Sequence, residues 1–187
     1  MGLGWRGLRG DGAKGDGVGA QALRPSNQRA KLFGIIRRGL QGNEAMGKKP
    51  RIRPIAICLF RQGDRILVCE DIDATRQLHF GRPLGGGIDF GETSEAAIAR
   101  EIREELSAEI HSIRLLGILE SVFEYEGKPG HEIVFVYDAK FVDQSLYERT
   151  ELVVQEGKRQ FKARWRSLDD FRRDDPHLVP EGLWQFL

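Results

Sequence analysis

Glu101, Glu104 and Glu105 fall within five residues of one another, downstream of three consecutive glycines, Gly85, Gly86 and Gly87. Ile98, Ile102 and Leu106 recur every four residues, which predicts a helix with one apolar face. At about 100° per residue, Glu101 and Glu105 lie beside that stripe, with Glu104 on the same flank. Thr93 or Ser94 is expected to cap the helix, because a hydroxyl accepts from the orphan amides of the first turn. Glu101 and Glu105 form a like-charge i,i+4 pair, which alone is mildly destabilising. A hard divalent cation bound through oxygen would remove that penalty. The chemistry that suits acidic residues beside a glycine turn is that of a phosphate anhydride, reached through Mg²⁺ or Mn²⁺. The glycines let backbone approach ligand or metal, since no Cβ intervenes. The same residues also fit a solvated acidic helix, with Arg100 and Glu104 as an ordinary i,i+4 pair.

The wider spacing separates these readings. Gly86 is followed by five residues and Glu92, then seven residues and Arg100-Glu101-Ile102, then one residue and Glu104-Glu105. This pattern resembles the Nudix box, the signature of the Nudix hydrolases. Every charged position matches. Ser107 stands where the family has its last glycine, and Ala108 stands where it has a larger aliphatic residue. The resemblance covers roughly residues 50–187 and implies an α/β fold, the Nudix-type α/β/α sandwich with a mixed β-sheet. It implies Mg²⁺ (or Mn²⁺) held by Glu101, Glu104, Glu105 and the carbonyl of Gly85. It also implies that Arg100 orients the glutamates, that Glu92 supports the metal site and that Gly86 makes the turn. The activity it implies is hydrolysis of a pyrophosphate link in a nucleotide substrate. A non-catalytic nucleotide-binding domain on the same fold is the alternative, and loss of the box carboxylates would signal it.

The general base needs a carboxylate or imidazole within reach of water. Glu101 is the first choice. Glu132 follows a turn and opens a strand, so it could face the site, and it reads equally as a surface charge. Glu120 and Glu124 are weaker choices, and His131 reads as a loop residue. Arg53, Arg82 and Lys140 are candidate phosphate contacts. Phe80, Phe123 and Tyr125 could stack on a base, although Phe123 suits the core. Tyr125 lies at an offset from the box that resembles the dinucleoside-polyphosphate branch. The proline of the ADP-ribose branch and the SQPWPFP-like array of the NADH branch are missing.

Apolar residues make up 40% and charged residues 30% of the 187-residue chain, a balance typical of one soluble domain. Residues 1–50 hold ten Lys/Arg against three Asp/Glu, a charge of +7, and the remainder carries −6. Those fifty residues also hold twelve of the twenty-three glycines, so a boundary is expected near Lys49-Pro50. Residues 1–49 are expected to be a disordered, basic, Gly-rich extension. A short amphipathic helix over residues 28–40, an organelle-targeting segment, a phosphate-contacting tail or a start at Met46 are the other readings of it. Nothing aromatic or repeated there supports specific nucleic-acid binding. No apolar run is long enough to span a membrane. Cys58 and Cys69 lie in apolar runs, which suggests buried reduced thiols in a cytoplasmic protein. The Nudix resemblance leaves a homodimer open, although no apolar stripe demands one.

Strands are expected over residues 51–60 and 65–70 around a turn at Gln62-Gly63-Asp64, and a short one over 78–80. Residues 84–88 then thread the glycines toward the helix. Residues 109–123 and 132–142 should form a hairpin, and residues 160–166 a further strand leading to a Ser167-capped helix. Residues 180–187 look like a final short helix. The stretches 71–77, 124–131 and 143–155 read as specificity loops.

Overall fold

The structure, a computed structural model, describes residues 50–187. The expectations for residues 1–49, including a helix over 28–40 and a start at Met46, lie outside the described residues. Nine strands form one mixed sheet: β1 (Arg53–Cys58), β2 (Arg61–Gln62), β3 (Arg65–Asp73), β4 (Leu78–Gly87), β5 (Ile110–Tyr125), β6 (Lys128–Phe141), β7 (Glu151–Glu156), β8 (Arg159–Ser167) and β9 (His177–Leu178). The main order is β5-β6-β1-β4-β3-β8-β7. β1 pairs in parallel with β6 and antiparallel with β4. Helix α1 (Ser94–Leu106) covers one face. The short α2 (Leu168–Arg172) and a 3₁₀ turn (Glu181–Phe186) cover the other, which gives the expected α/β/α layering.

From Ile55 on, β1 is buried on both sides, so Ile55 to Cys58 are apolar without alternation, whereas Arg53 and Pro54 at its start are exposed. Ala56 and Cys58 point toward α1, and Ile55, Ile57 and Leu59 toward the second core. α1 drives Ala97, Ile98 and Ile102 into the first core, all fully buried, while Leu106 is only partly covered. Burying each isoleucine is worth about 2 kcal/mol. Thr93 is the cap: its hydroxyl accepts from the Ala96 amide at 3.1 Å. At the other end Ser107 takes the left-handed conformation, φ 52°, and its amide donates to the Arg103 carbonyl at 2.9 Å. That conformation explains why glycine is favoured at this position.

Several expectations change. Gly85, Gly86 and Gly87, expected to form a turn, instead complete a ten-residue strand, β4. Its first half pairs with β3 and its last four residues pair with β1, Ile57 opposite Gly85 and Ile55 opposite Gly87. Residues 151–156, expected within a loop, form β7 and return through Gly157 into β8, because Leu152 and Val154 pack on the α1 side of the sheet. The C-terminal segment is 3₁₀ rather than α-helical. Ser167 caps α2 as expected, with Asp170 closing a reciprocal capping box. Cys58 is buried, whereas Cys69 is half-buried, and both are free. Among the described residues no helix is long and apolar enough to cross a membrane.

Candidate active site

β4 and α1 bring the acidic cluster to the glycines. A cleft of about 420 Å³ is lined by Gly85, Gly86 and Gly87 from β4, and by Glu101, Glu104 and Glu105 from α1. Arg82, Arg53 and the β7–β8 turn, Gln155 to Gly157, complete it. Gly85 sits at φ +128°, and a Cβ there would meet the Ala56 carbonyl at 2.2 Å and Ile98 at 2.8 Å. Only glycine lets β1 and α1 close on β4 at this point. A Cβ on Gly86 would strike the Glu101 carboxylate, at 2.6 to 2.7 Å from its three terminal atoms. The Glu101 carboxylate therefore lies directly against the β4 backbone.

Arg100 organises the cluster from behind. Its Nη2 donates to Glu92 at 2.6 Å and to the Gly87 carbonyl at 2.9 Å. Its Nη1 donates to Glu101 at 3.0 Å and to Glu104 at 3.2 Å. Its Nε reaches the second Glu92 oxygen at 3.2 Å, so the planar fork serves four acceptor groups at once. The Arg100 bonds, helped by the Asp89 amide that Glu92 also accepts from, hold its carboxyl below the usual range. Glu105 turns the other way and accepts from the Gly85 amide at 3.3 Å. Burial, together with the Glu101 charge, pushes Glu105 up to about 7. Burial also raises Glu101, against the pull of Arg100. These are carboxylates short of positive charge.

Among the described residues, no three Asp, Glu, His or Cys side chains already converge on one point that an ion could take. The reason is visible: Glu101 and Glu104 lean on Arg100, and Glu105 leans on Gly85. The donor set still suits a hard cation. It is all oxygen, and two of its carboxylates are raised by burial, a cost that a divalent ion offsets.

The remaining expected residues divide. Arg82 lines the cleft. Glu132 does not; it is 6% exposed and pairs with Arg53. Tyr125 does not reach the cleft either. Its hydroxyl donates to Asp71 at 3.1 Å and its ring meets Phe80 edge-on at 5.9 Å, where the tips of the β5–β6 and β3–β4 hairpins dock. Phe123 packs against Gly130, and His131 pairs with Glu120 at 2.9 Å, both away from the glycines. Lys140 lies opposite His111 on the β5–β6 hairpin and is not part of the cleft wall. Gln155, the last residue of the 143–155 stretch read as a specificity loop, lines the wall, and two residues outside the sequence-based candidates join it: Glu156 and Gly157. The charge of Glu156 adds to the upward push on Glu105. The Glu156-Gly157 turn signal was present in the sequence, but nothing local tied it to α1.

Comparison with known proteins agrees with this arrangement. The sequence pattern of the NUDIX domain matches residues 50–185. The NAD-capped RNA hydrolase NudC of Mycobacterium tuberculosis is 30% identical over 112 residues, covering 55% of this chain and 35% of that protein. NudC of Pseudomonas aeruginosa is 28% identical over 120 residues, covering 64% and 38%. The chain thus spans little more than a third of the length of these curated relatives. A NUDIX hydrolase structure from Nitrosomonas europaea shares the fold, with a TM-score of 0.51 at 18% identity, over 72% of this chain and 85% of that one. With its pattern matched over most of the length and the box charges gathered at one cleft, the chain belongs to the Nudix hydrolase family.

Proposed function

We propose that the domain is a divalent-metal-dependent hydrolase that opens the pyrophosphate link of a nucleoside diphosphate joined to another group, a dinucleoside polyphosphate or a nucleoside triphosphate included. One observation carries the reading: Glu101, Glu104 and Glu105 line the same cleft as the Gly85–Gly87 backbone. Glu101, Glu104, Glu105 and the Gly85 carbonyl would hold Mg²⁺ or Mn²⁺, which supplies a Lewis acid for phosphate oxygens and an acidified water.

The chain's own residues do the rest. Arg100 ties Glu101 and Glu104 to the Gly87 carbonyl; Glu101 is held largely buried while Glu104 stays exposed at the rim. Gly86 gives the substrate bare backbone beside Glu101. Arg82, in the cleft wall, faces phosphate charge. Glu101 takes the proton of the attacking water. Glu156 lines the same cleft from β7 and is the alternative acceptor in this reading. The curated relatives are named for hydrolysing NAD-capped RNA, and NAD joins its two nucleosides through a pyrophosphate, which supports the class of bond. The free thiols Cys58 and Cys69 suit a reducing compartment such as the cytoplasm.

The test is turnover of a panel comprising a dinucleoside polyphosphate, ADP-ribose, NAD and a nucleoside triphosphate, with Mg²⁺ or Mn²⁺. Glu105→Gln, nearly isosteric, is expected to lower kcat by about 100-fold or more. Full turnover by that variant would reject the site.

A further inference from the structure

One ion pair at the end of the cleft lies outside the box. Arg53 opens β1 and lines the cleft, with its side chain half exposed. Ile55 is opposite Gly87 in the β1–β4 register, so Arg53, two residues earlier, stands just beyond the glycine run. On its other side β1 pairs in parallel with β6, and there Arg53 is the register partner of Glu132. Glu132 is 6% exposed, and its Oε1 lies 3.6 Å from Arg53 Nη1. At that distance the contact is an ion pair rather than a hydrogen bond. Arg53 is the one cation that the described residues place beside this buried carboxylate. Arg82, on the other side of the glycines and near Glu105, has no ion-pair partner among the described residues.

We infer that Glu132 is a positioning residue: it holds Arg53 so that the guanidinium faces a phosphate of the substrate at the Gly87 end of the cleft. This deepens the pyrophosphate reading and rests on it. It also reassigns Glu132, a candidate proton acceptor in the sequence. A carboxylate that does not line the cleft and whose near charge is Arg53 is not set to meet a water in the cleft. A guanidinium has five N–H donors in a planar fork, so engagement with Glu132 leaves donors for an anion. A long side chain already held loses less freedom on gripping phosphate than one free to rotate. Gly87 contributes to the same end of the cleft: its carbonyl is taken by Arg100 and it presents no side chain, which leaves Arg53 room to act.

The experiment is a double-mutant cycle on the full chain, read by steady-state kinetics with Mg²⁺ on whichever panel nucleotide is turned over. A parallel readout is equilibrium binding of α,β-methylene ADP, a non-hydrolysable pyrophosphate probe. Arg53→Ala is expected to raise KM and probe Kd about 10-fold with kcat within about twofold, the signature of lost binding. Glu132→Gln should raise KM about three- to tenfold, leave the pH profile of kcat in place, and add nothing in the Arg53→Ala background. Arg53→Lys, which keeps the charge and loses the fork, should fall between; it serves if Glu132→Gln does not fold. A roughly 100-fold loss of kcat with loss of the acid limb in Glu132→Gln would make Glu132 the base and overturn the inference. Additive effects on KM, or unchanged probe binding in Arg53→Ala or Arg53→Lys, would also overturn it. A wild-type protein that binds no probe and turns over no panel nucleotide would instead remove the pyrophosphate reading beneath it.

Discussion

Gly86→Ala and Gly85→Ala are neighbouring substitutions of one methyl group, and the structure assigns them opposite consequences. At Gly86 the new Cβ meets the Glu101 carboxylate at 2.6 to 2.7 Å. Ordinary contact begins near 3.4 Å, so the carboxylate must retreat by about 0.8 Å. It is the free end of a flexible side chain and can do so, at the expense of its 3.0 Å bond from Arg100. The stability cost should stay below about 1 kcal/mol, partly offset by the alanine's smaller unfolded-state entropy. A displacement of this size at a reacting carboxylate is worth about 100-fold in kcat. At Gly85 the methyl meets backbone instead, the Ala56 carbonyl at 2.2 Å, on a residue with φ +128°. Left-handed strain and overpacking together should cost about 2–5 kcal/mol. That lowers Tm by roughly 6–15 °C for a domain of this size. The assay is a thermal melt of each variant beside metal-dependent turnover at a temperature where both are folded. Gly86→Ala with wild-type kcat would show that the position of Glu101 does not matter to the chemistry. Gly86→Ala that melts as early as Gly85→Ala would show that the packing argument itself is wrong.

Two further outcomes follow from the same geometry. Glu105 is raised from 4.5 to about 7 in the folded chain, so the protonated form is favoured on folding. The associated stability is complete below about pH 4.5 and is lost as pH rises through 7, amounting to at most about 3 kcal/mol. Melts of chelator-treated protein should therefore show this downward slope, Glu105→Gln should flatten it, and Mg²⁺ should raise Tm more at pH 8 than at pH 5; a slope unchanged in Glu105→Gln would contradict the burial argument. Ser107→Gly should stabilise the domain by about 1 kcal/mol, because Ser107 holds φ 52° at the end of α1; an unchanged or lower Tm would contradict it.

The box was legible because its parts are local. Glu101, Glu104, Glu105 and Arg100 sit within two turns of one helix, so residue spacing alone places them on one flank. Thr93 and Ser167 announce their helices through hydroxyls that cap the next few amides, and Glu126-Gly127 announces the β5–β6 hairpin. Other features had no such local signal. Glu156 joins Glu105 only because β7 reaches the α1 side of the sheet, after fifty residues of intervening chain. Glu132 and Tyr125 were plausible beside the box by position along the chain. The β1–β6 pairing and hairpin docking put one against Arg53 and the other against Asp71. The sequence by itself thus determined which groups carry charge and which lie on one helix. Tertiary structure decided which of the distant groups share their solvent, because that depends on strand pairing across the sheet, and pairing is a property of the whole chain.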